Sequence, residues 1–320
     1  MRRRPGYYTL RFALVGAVFA AAWTAFALIG DTWFQMFMAV FMALVSAQVA
    51  LLGHDLAHRQ IIRSRAATER VGWLTGNLAN GMGYGWWTDK HNRHHANPNH
   101  EELDPDVAPG LFVWSKRQAR AAQGLSRFVV KYQAQLFFPA LLFEGFNLNW
   151  SGIRSIFTAG LKHRSWEAAF LAAHLVAYLS AVFLVLSPGK AIVFIVVHKA
   201  AWGLYMGSVF APNHKGMPTL VGDTELDFLR KQVLTSRNVK GDWFTDVALG
   251  GLNYQIEHHL FPAMPSVNLA RARPIVEKFC AEKGIPYSAT GLIQSWREAL
   301  TQLHRNGEPL RHPRTRATAG

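Results

Sequence analysis

Cysteine is almost missing from this sequence: Cys280 is the only one in 320 residues. An internal disulfide is excluded, and so is any zinc or iron–sulfur site built on thiolates, so a bound metal must take imidazole, carboxylate or amide ligands. Acidic residues are scarce too, 20 against 34 Lys and Arg, for a formal net charge of +14. Nucleic acid is a common partner of such a chain, but no motif for it is present and half of the residues are hydrophobic, which argues for a chain that binds no nucleic acid. A positive-inside bias and a surface for anionic lipid or a phosphate-bearing substrate remain, and the two are compatible.

Charge is also nearly absent from four long stretches, at about residues 12–29, 33–52, 166–186 and 192–209. Each is close to the ~20 apolar residues that cross the hydrocarbon of a bilayer. Gly30-Asp31-Thr32 joins the first pair, and Ser187-Pro188-Gly189-Lys190 joins the second. Connections this short predict two helical hairpins. Met1-Arg2-Arg3-Arg4 resembles a signal-peptide start, but the second apolar stretch follows at once, and a first span anchored by arginines accounts for the same residues. The short turns carry only Lys190, so the positive-inside rule places both termini and the long polar segments in the cytoplasm. The expected fold is all-α: an integral membrane protein with four transmembrane helices in two hairpins and a cytoplasmic helical cap. Stretches 71–87 and 136–150, apolar but broken by Gly, Asn and Pro, read either as interfacial or re-entrant helices or as buried helix of the cap. Helical patterning returns at 268–282 and 290–304, with Gly284-Ile285-Pro286 between. The main domain is expected to span 1–290, followed over 291–320 by a C-terminal helix and a basic tail, frayed after Asn306.

What the sequence has in abundance is clustered histidine. His54-Asp55-Leu56-Ala57-His58, His91-Asn92-Arg93-His94-His95 and Gln255-Ile256-Glu257-His258-His259 form three boxes, and Asn213-His214 closes the fourth span. Residues four apart on a helix lie about 40° apart around its axis, so His54 and His58 share a face. His91 shares a face with both His94 and His95, which diverge and can feed two neighbouring ions. All four segments fall on one predicted side of the membrane. Eight imidazoles exceed the three or four that one zinc takes, so two ions are the natural count. For oxygen chemistry on unactivated C–H bonds, iron is the usual choice, since zinc has no redox chemistry.

These boxes resemble those of the membrane fatty acid desaturases in order and approximate spacing, over about residues 4–287. The third box, within Leu252-Asn253-Tyr254-Gln255-Ile256-Glu257-His258-His259-Leu260-Phe261-Pro262, looks like that of the front-end subgroup, linoleoyl-CoA (Δ6-type) desaturases included, in which Gln replaces the first histidine. The resemblance implies iron ligation by His54, His58, His91, His94, His95, His258 and His259, with His214 of Asn213-His214-Lys215 as the extra ligand after the last span. It implies that Gln255 orients a ligand or water. It also implies a double bond placed on the carboxyl side of an acyl-CoA or acyl-lipid chain, with two Fe ions as cofactor and O2 as co-substrate. The His-Pro-Gly-Gly mark of a fused cytochrome b5 domain is absent, as are flavin, haem and iron–sulfur motifs. Electrons are expected from a separate donor, a ferredoxin or a cytochrome b5-like protein with its reductase.

Around the boxes, Asp55, Asp89, Asp104, Asp106 and Glu257 are candidates to orient imidazoles through the second ring nitrogen. Trp86 and Trp87 are candidates for an acyl tunnel or an interfacial anchor. Lys90, Arg93 and Lys215 are candidates to hold a phosphate or carboxylate head group. Lys199, inside the fourth span, must face protein or a cavity, and His174 reads as a helix contact. A hydroxylase, ketolase or sphingolipid desaturase on the same scaffold remains open. A membrane zinc hydrolase would carry H-E-x-x-H, where box one has Asp55. A metal transporter would place histidines along a path within the spans, and the boxes lie outside them.

Overall fold

In hydrocarbon no water satisfies backbone groups, so an apolar stretch of membrane length closes its hydrogen bonds within itself as a helix. A computed structural model, describing residues 2–222 and 226–312, has four such helices: α1 (Pro5–Ile29), α2 (Gln35–Ala57), α9 (Arg164–Val185) and α10 (Pro188–His214). All four are long and apolar enough to cross a membrane. Two of them outrun the expected bounds toward the histidines. α2 continues five residues past 52 and α10 five past 209, so box one and His214 ride on the last turns of long helices. The expected turn at 187–190 is instead the start of α10, with Pro188 in its first turn, where a missing N–H and a preset φ cost nothing.

The two short connections meet at one end of the bundle. Ser187 donates from its backbone N and its Oγ to Asp31 Oδ1, at 3.0 and 3.2 Å, and Lys190 Nζ lies 3.1 Å from Asp31 Oδ2. Gln35, fully buried, donates to the carbonyls of Phe26 and Gly30 at the end of α1, groups that a helix cannot satisfy itself.

Between α2 and α9 the chain forms α3 (Arg65–Gly72), a π-helical segment (Trp73–Ala79), α4 (Tyr84–Ala96), α5 (Lys116–Ala121), α6 (Gly124–Lys131), α7 (Gln133–Leu141) and α8 (Glu144–Ser155). After α10 come α11 (Phe228–Leu234), β1 (Asn238–Lys240), α12 (Trp243–Ala248), α13 (Gln255–Leu260), α14 (Ser266–Glu282), β2 (Ala289–Gly291), α15 (Leu292–Asn306) and α16 (Glu308–Arg311). β1 and β2 pair in parallel, the one sheet among the described residues. The stretch at 71–87 is buried structure packed on α2 and α9. The stretch at 136–150 divides into α7 and α8, with apolar side chains left exposed. The chain after Asn306 is ordered further than expected: Leu310 is buried with Val113, Ala119 and Val130, and Arg311 donates to the Lys131 carbonyl. The tail from 313 onward lies outside the described residues.

α2 packs mainly on α10, its Ala43, Ala47 and Ala50 letting Trp202 and Met206 close in. α8 crosses α10 backbone to backbone at Gly145 and Gly203, where a Cβ on Gly203 would meet the Gly145 N and come within 2.6 Å of the Leu141 carbonyl. Gly203→Ala is expected to cost about 1–3 kcal/mol through this overpacking, read as a lower melting temperature in detergent. An unchanged melting temperature would contradict the close crossing.

Candidate metal centre

Each histidine reaches the centre from an element ended or capped to put it there. α2 stops after box one because Arg59 turns into the left-handed region (φ 55°), with His58 at the C-cap. α4 carries box two and has no side-chain cap of its own at Gly83. Its first free N–H groups are taken from afar, Tyr84 N by Asn77 Oδ1 at 3.0 Å and Gly85 N by Glu167 Oε1 at 2.9 Å. Glu167, buried on α9, also accepts from Trp73 Nε1 at 3.0 Å and from Asn77 Nδ2. An acidic group at a helix N-terminus is stabilising in itself. The six-residue α13, bearing box three, is pinned by Ile256 N to Asn238 Oδ1 at 2.9 Å, while Glu257 accepts from Asn238 Nδ2 and Tyr287 Oη at 2.7 Å each.

All eight predicted histidines meet, in two adjoining sets. His54, His58, His91, His95 and His258 bring one ligand atom each to within 4.8 Å of one another; His94, His214 and His259 do the same. The sets touch where His95 and His259 stack, ring centroids 4.2 Å apart. In the larger set the Nε2 atoms of His58 and His91 lie 2.9 Å apart, those of His91 and His95 3.1 Å, and those of His95 and His258 3.1 Å. In the smaller, the Nε2 atoms of His94 and His214 are 3.3 Å apart. Metal–nitrogen bonds of about 2.0–2.1 Å place neighbouring ligands roughly 2.8–3.4 Å apart in octahedral or tetrahedral geometry, so these spacings match the edges of a coordination shell. His54 Nε2 and His259 Nε2 are buried with no hydrogen-bond partner, as suits nitrogens reserved for an ion. The donor set therefore fits two metal ions.

Burial, and then the neighbouring imidazoles, holds His58, His91, His95, His258 and His259 well below the ordinary imidazole pKa. That keeps them neutral, the form that binds metal. On the outer side, His94 Nδ1 is 2.9 Å from Asp104 Oδ2, His214 Nδ1 is 3.0 Å from the Thr235 carbonyl and His259 Nδ1 is 2.9 Å from Gln232 Oε1. Burial works to raise the Asp104 and Asp106 carboxyls, but His94 beside the first and Lys90 beside the second carry both below the usual carboxylate range. Burial raises Glu257.

Of the expected orienting carboxylates, Asp104 does that work, Asp55 lies 3.4 Å from His54 Nδ1, and Asp106 lies 3.6 Å from His94 while pairing with Lys90 at 2.6 Å. Asp89 is exposed and pairs with Arg93, and Glu257 supports the backbone of box three rather than an imidazole. Gln255 Nε2 sits 2.8 Å from His214 Nε2, and Asn213 Nδ2 donates to the Val209 and Leu252 carbonyls, fastening α10 to the approach to α13. Lys215 is engaged inside, donating to the Asp106 carbonyl and lying 4.1 Å over the Trp114 ring, which with the Lys90–Asp106 and Arg93–Asp89 pairs leaves all three expected head-group cations occupied. Lys199 faces the Tyr178 and Trp202 rings, and His174 Nδ1 is 2.8 Å from the Leu78 carbonyl. Gln232, Thr235, Asn77 and Glu167 escaped the sequence reading; none stands in a recognisable spacing.

One helical turn before His54, His91 and His214, Ala50, Trp87 and Phe210 form an apolar floor, and Trp87 stacks on His91 at 4.5 Å. Beside His58 opens a cavity of about 650 Å³, walled by Trp73, Tyr84 and Trp86, with Arg59, Lys162, Asp89 and the Arg65–Glu69 ion pair (3.0 Å) also in its lining.

Helices of membrane length that lead into a largely buried cluster of eight imidazoles define a membrane protein with a histidine cluster able to hold metal. The chain belongs to the fatty acid desaturase family, whose model matches residues 31–291. It is 33% identical over 93% of its length to an acyl-lipid (9-3)-desaturase of Physcomitrium patens, 29% over 85% to the Delta(6)-fatty-acid desaturase fat-3 of Caenorhabditis elegans, and 28% over 95% to fatty acid desaturase 3 of Homo sapiens. The chain spans 58%, 65% and 68% of those relatives' own lengths.

Proposed function

We propose that this protein is an oxygen-dependent acyl desaturase with a diiron centre, acting on an acyl-CoA or acyl-lipid. The observation that carries the reading is the pairing of two imidazole sets at coordination spacing with an apolar floor one turn before His54, His91 and His214. Two iron ions held there would supply the redox chemistry that couples oxygen reduction to loss of two hydrogens from adjacent carbons. Overall, one O2, two electrons and two protons give the double bond and two waters. The chain's own part is placement. The aromatic floor excludes water and lines the acyl path, and Arg59 and Lys162 at the cavity lining hold an anionic head group at a set distance from His58.

The two electrons come from a separate donor of ferredoxin or cytochrome b5 type. The four spans form two hairpins with the histidines on the cytoplasmic side. The Lys/Arg asymmetry supports this, and so does the Asp31–Ser187 tie that gathers both short turns at one end. Exposed Leu125, Phe128, Phe143, Trp150 and Phe157 on and after α6–α8 suit a cap resting on the lipid surface.

Regiochemistry then follows from the distance between the head-group cations and the centre. With the head group clamped, substrates lengthened at the methyl end are expected to gain a double bond at the same position counted from the carboxyl carbon. The measurement is double-bond mapping of lipids from cells expressing the chain, beside metal analysis of the purified protein. Hydroxylated product would move the chain to another reaction on this scaffold. One zinc and no iron would end the diiron reading, and a position constant from the methyl end would end the carboxyl-side reading alone.

A further inference from the structure

A metal-binding imidazole offers one nitrogen lone pair inward and keeps its proton on the other nitrogen, and the partner of that outer nitrogen decides which is which. The two sets differ here. In the smaller, all three outer nitrogens are engaged, by Asp104, the Thr235 carbonyl and Gln232. In the larger, Nδ1 of His95 and of His258 is buried and unpartnered. Gln232 is the unexpected member of this group. It lies on α11, outside every histidine box, and is fully buried.

Its two amide ends leave no freedom. Gln232 Nε2 lies 3.0 Å from the His95 carbonyl oxygen, which can only accept, so the NH2 end faces box two. Oε1 therefore faces His259 Nδ1, 2.9 Å away, and can only accept in turn. His259 must carry its proton on Nδ1 and present the Nε2 lone pair inward, where Nε2 has no other partner. The same side chain also ties the last turn of α4 to α13, so it sets the register of box three against box two.

We propose that Gln232 is a positioning residue that fixes His259 as an Nε2 ligand of the three-imidazole set. This rests on the reading that metal binds there. The test is chelator competition and 57Fe Mössbauer spectroscopy on the full chain, comparing wild type, Gln232→Leu and Gln232→Glu. Gln232→Leu should weaken one of the two metal sites about 10–100-fold and remove or broaden one iron signal, leaving the other as in wild type. Gln232→Glu, which keeps an acceptor for Nδ1–H, should retain both ions and shift only that one signal. Identical chelator curves and spectra in all three proteins would overturn the assignment. So would equal loss of both ions in Gln232→Leu that Gln232→Glu does not repair, since that marks a role in folding alone. Wild-type protein that binds no metal overturns the metal reading, and this assignment with it.

Discussion

His259→Ala is expected to lower the metal content of the purified chain to about one ion, while His58→Ala retains close to two. The asymmetry comes from ligand count. His259 belongs to a set of three imidazoles, and its loss leaves two, too few to hold an ion against solvent. His58 belongs to a set of five, and its loss leaves four, a full tetrahedral complement. Both variants should lose turnover by at least about 100-fold, because the geometry of the pair is disturbed in either case. Elemental analysis beside a desaturation assay separates the two effects. Equal metal loss in both proteins would mean that the eight imidazoles act as one undivided site.

Glu167→Leu should be the most damaging substitution away from the histidines. It strands Trp73 Nε1 and Gly85 N and leaves Asn77 Nδ2 only the Glu167 backbone carbonyl at 3.3 Å, and a buried donor left without a partner costs about 1–3 kcal/mol. Two together are a large share of the whole stability of many proteins, about 5–15 kcal/mol. The loss should also spread to the metal centre, since α4, which bears His91, His94 and His95, begins at the amide that Glu167 accepts. Glu167→Gln keeps one acceptor and should fall between. Thermal melting in detergent and metal content are the measurements; a Glu167→Leu protein that melts with the wild type would show that the cap is dispensable.

Much of this arrangement was legible in the chain because its signals are local. An apolar stretch of membrane length reports a span by itself, and His54 and His58, or His91 and His95, share a face by helical period alone. Asp89 shows where locality misleads. It sits two residues before His91, about 200° around the helix, so it faces outward and pairs with Arg93. Asp104 reaches His94 because the chain after α4 reverses at Asn99, itself left-handed (φ 54°), and Asn99 N donates to Asp104 Oδ2. The cap of α4 could not be read because Glu167 lies 82 residues from Gly85, and Gln232 because 137 residues separate it from His95. Neither pairing leaves a periodicity in the sequence. The short α13 is likewise held by Asn238 and Tyr287 rather than by its own six residues.

The division into five and three imidazoles has a consequence for biosynthesis. His95 and His258 are separated by 163 residues, which takes on the order of 10–30 s to translate. Through that interval the growing chain already owns His54, His58, His91 and His95, four of the five members of the larger set, while the smaller gains His214 to join His94 and still lacks His259. Four neutral imidazoles make a tetrahedral cup that suits zinc as well as iron. The larger set is thus four-fifths made before the last box, whereas the smaller is complete only with His259.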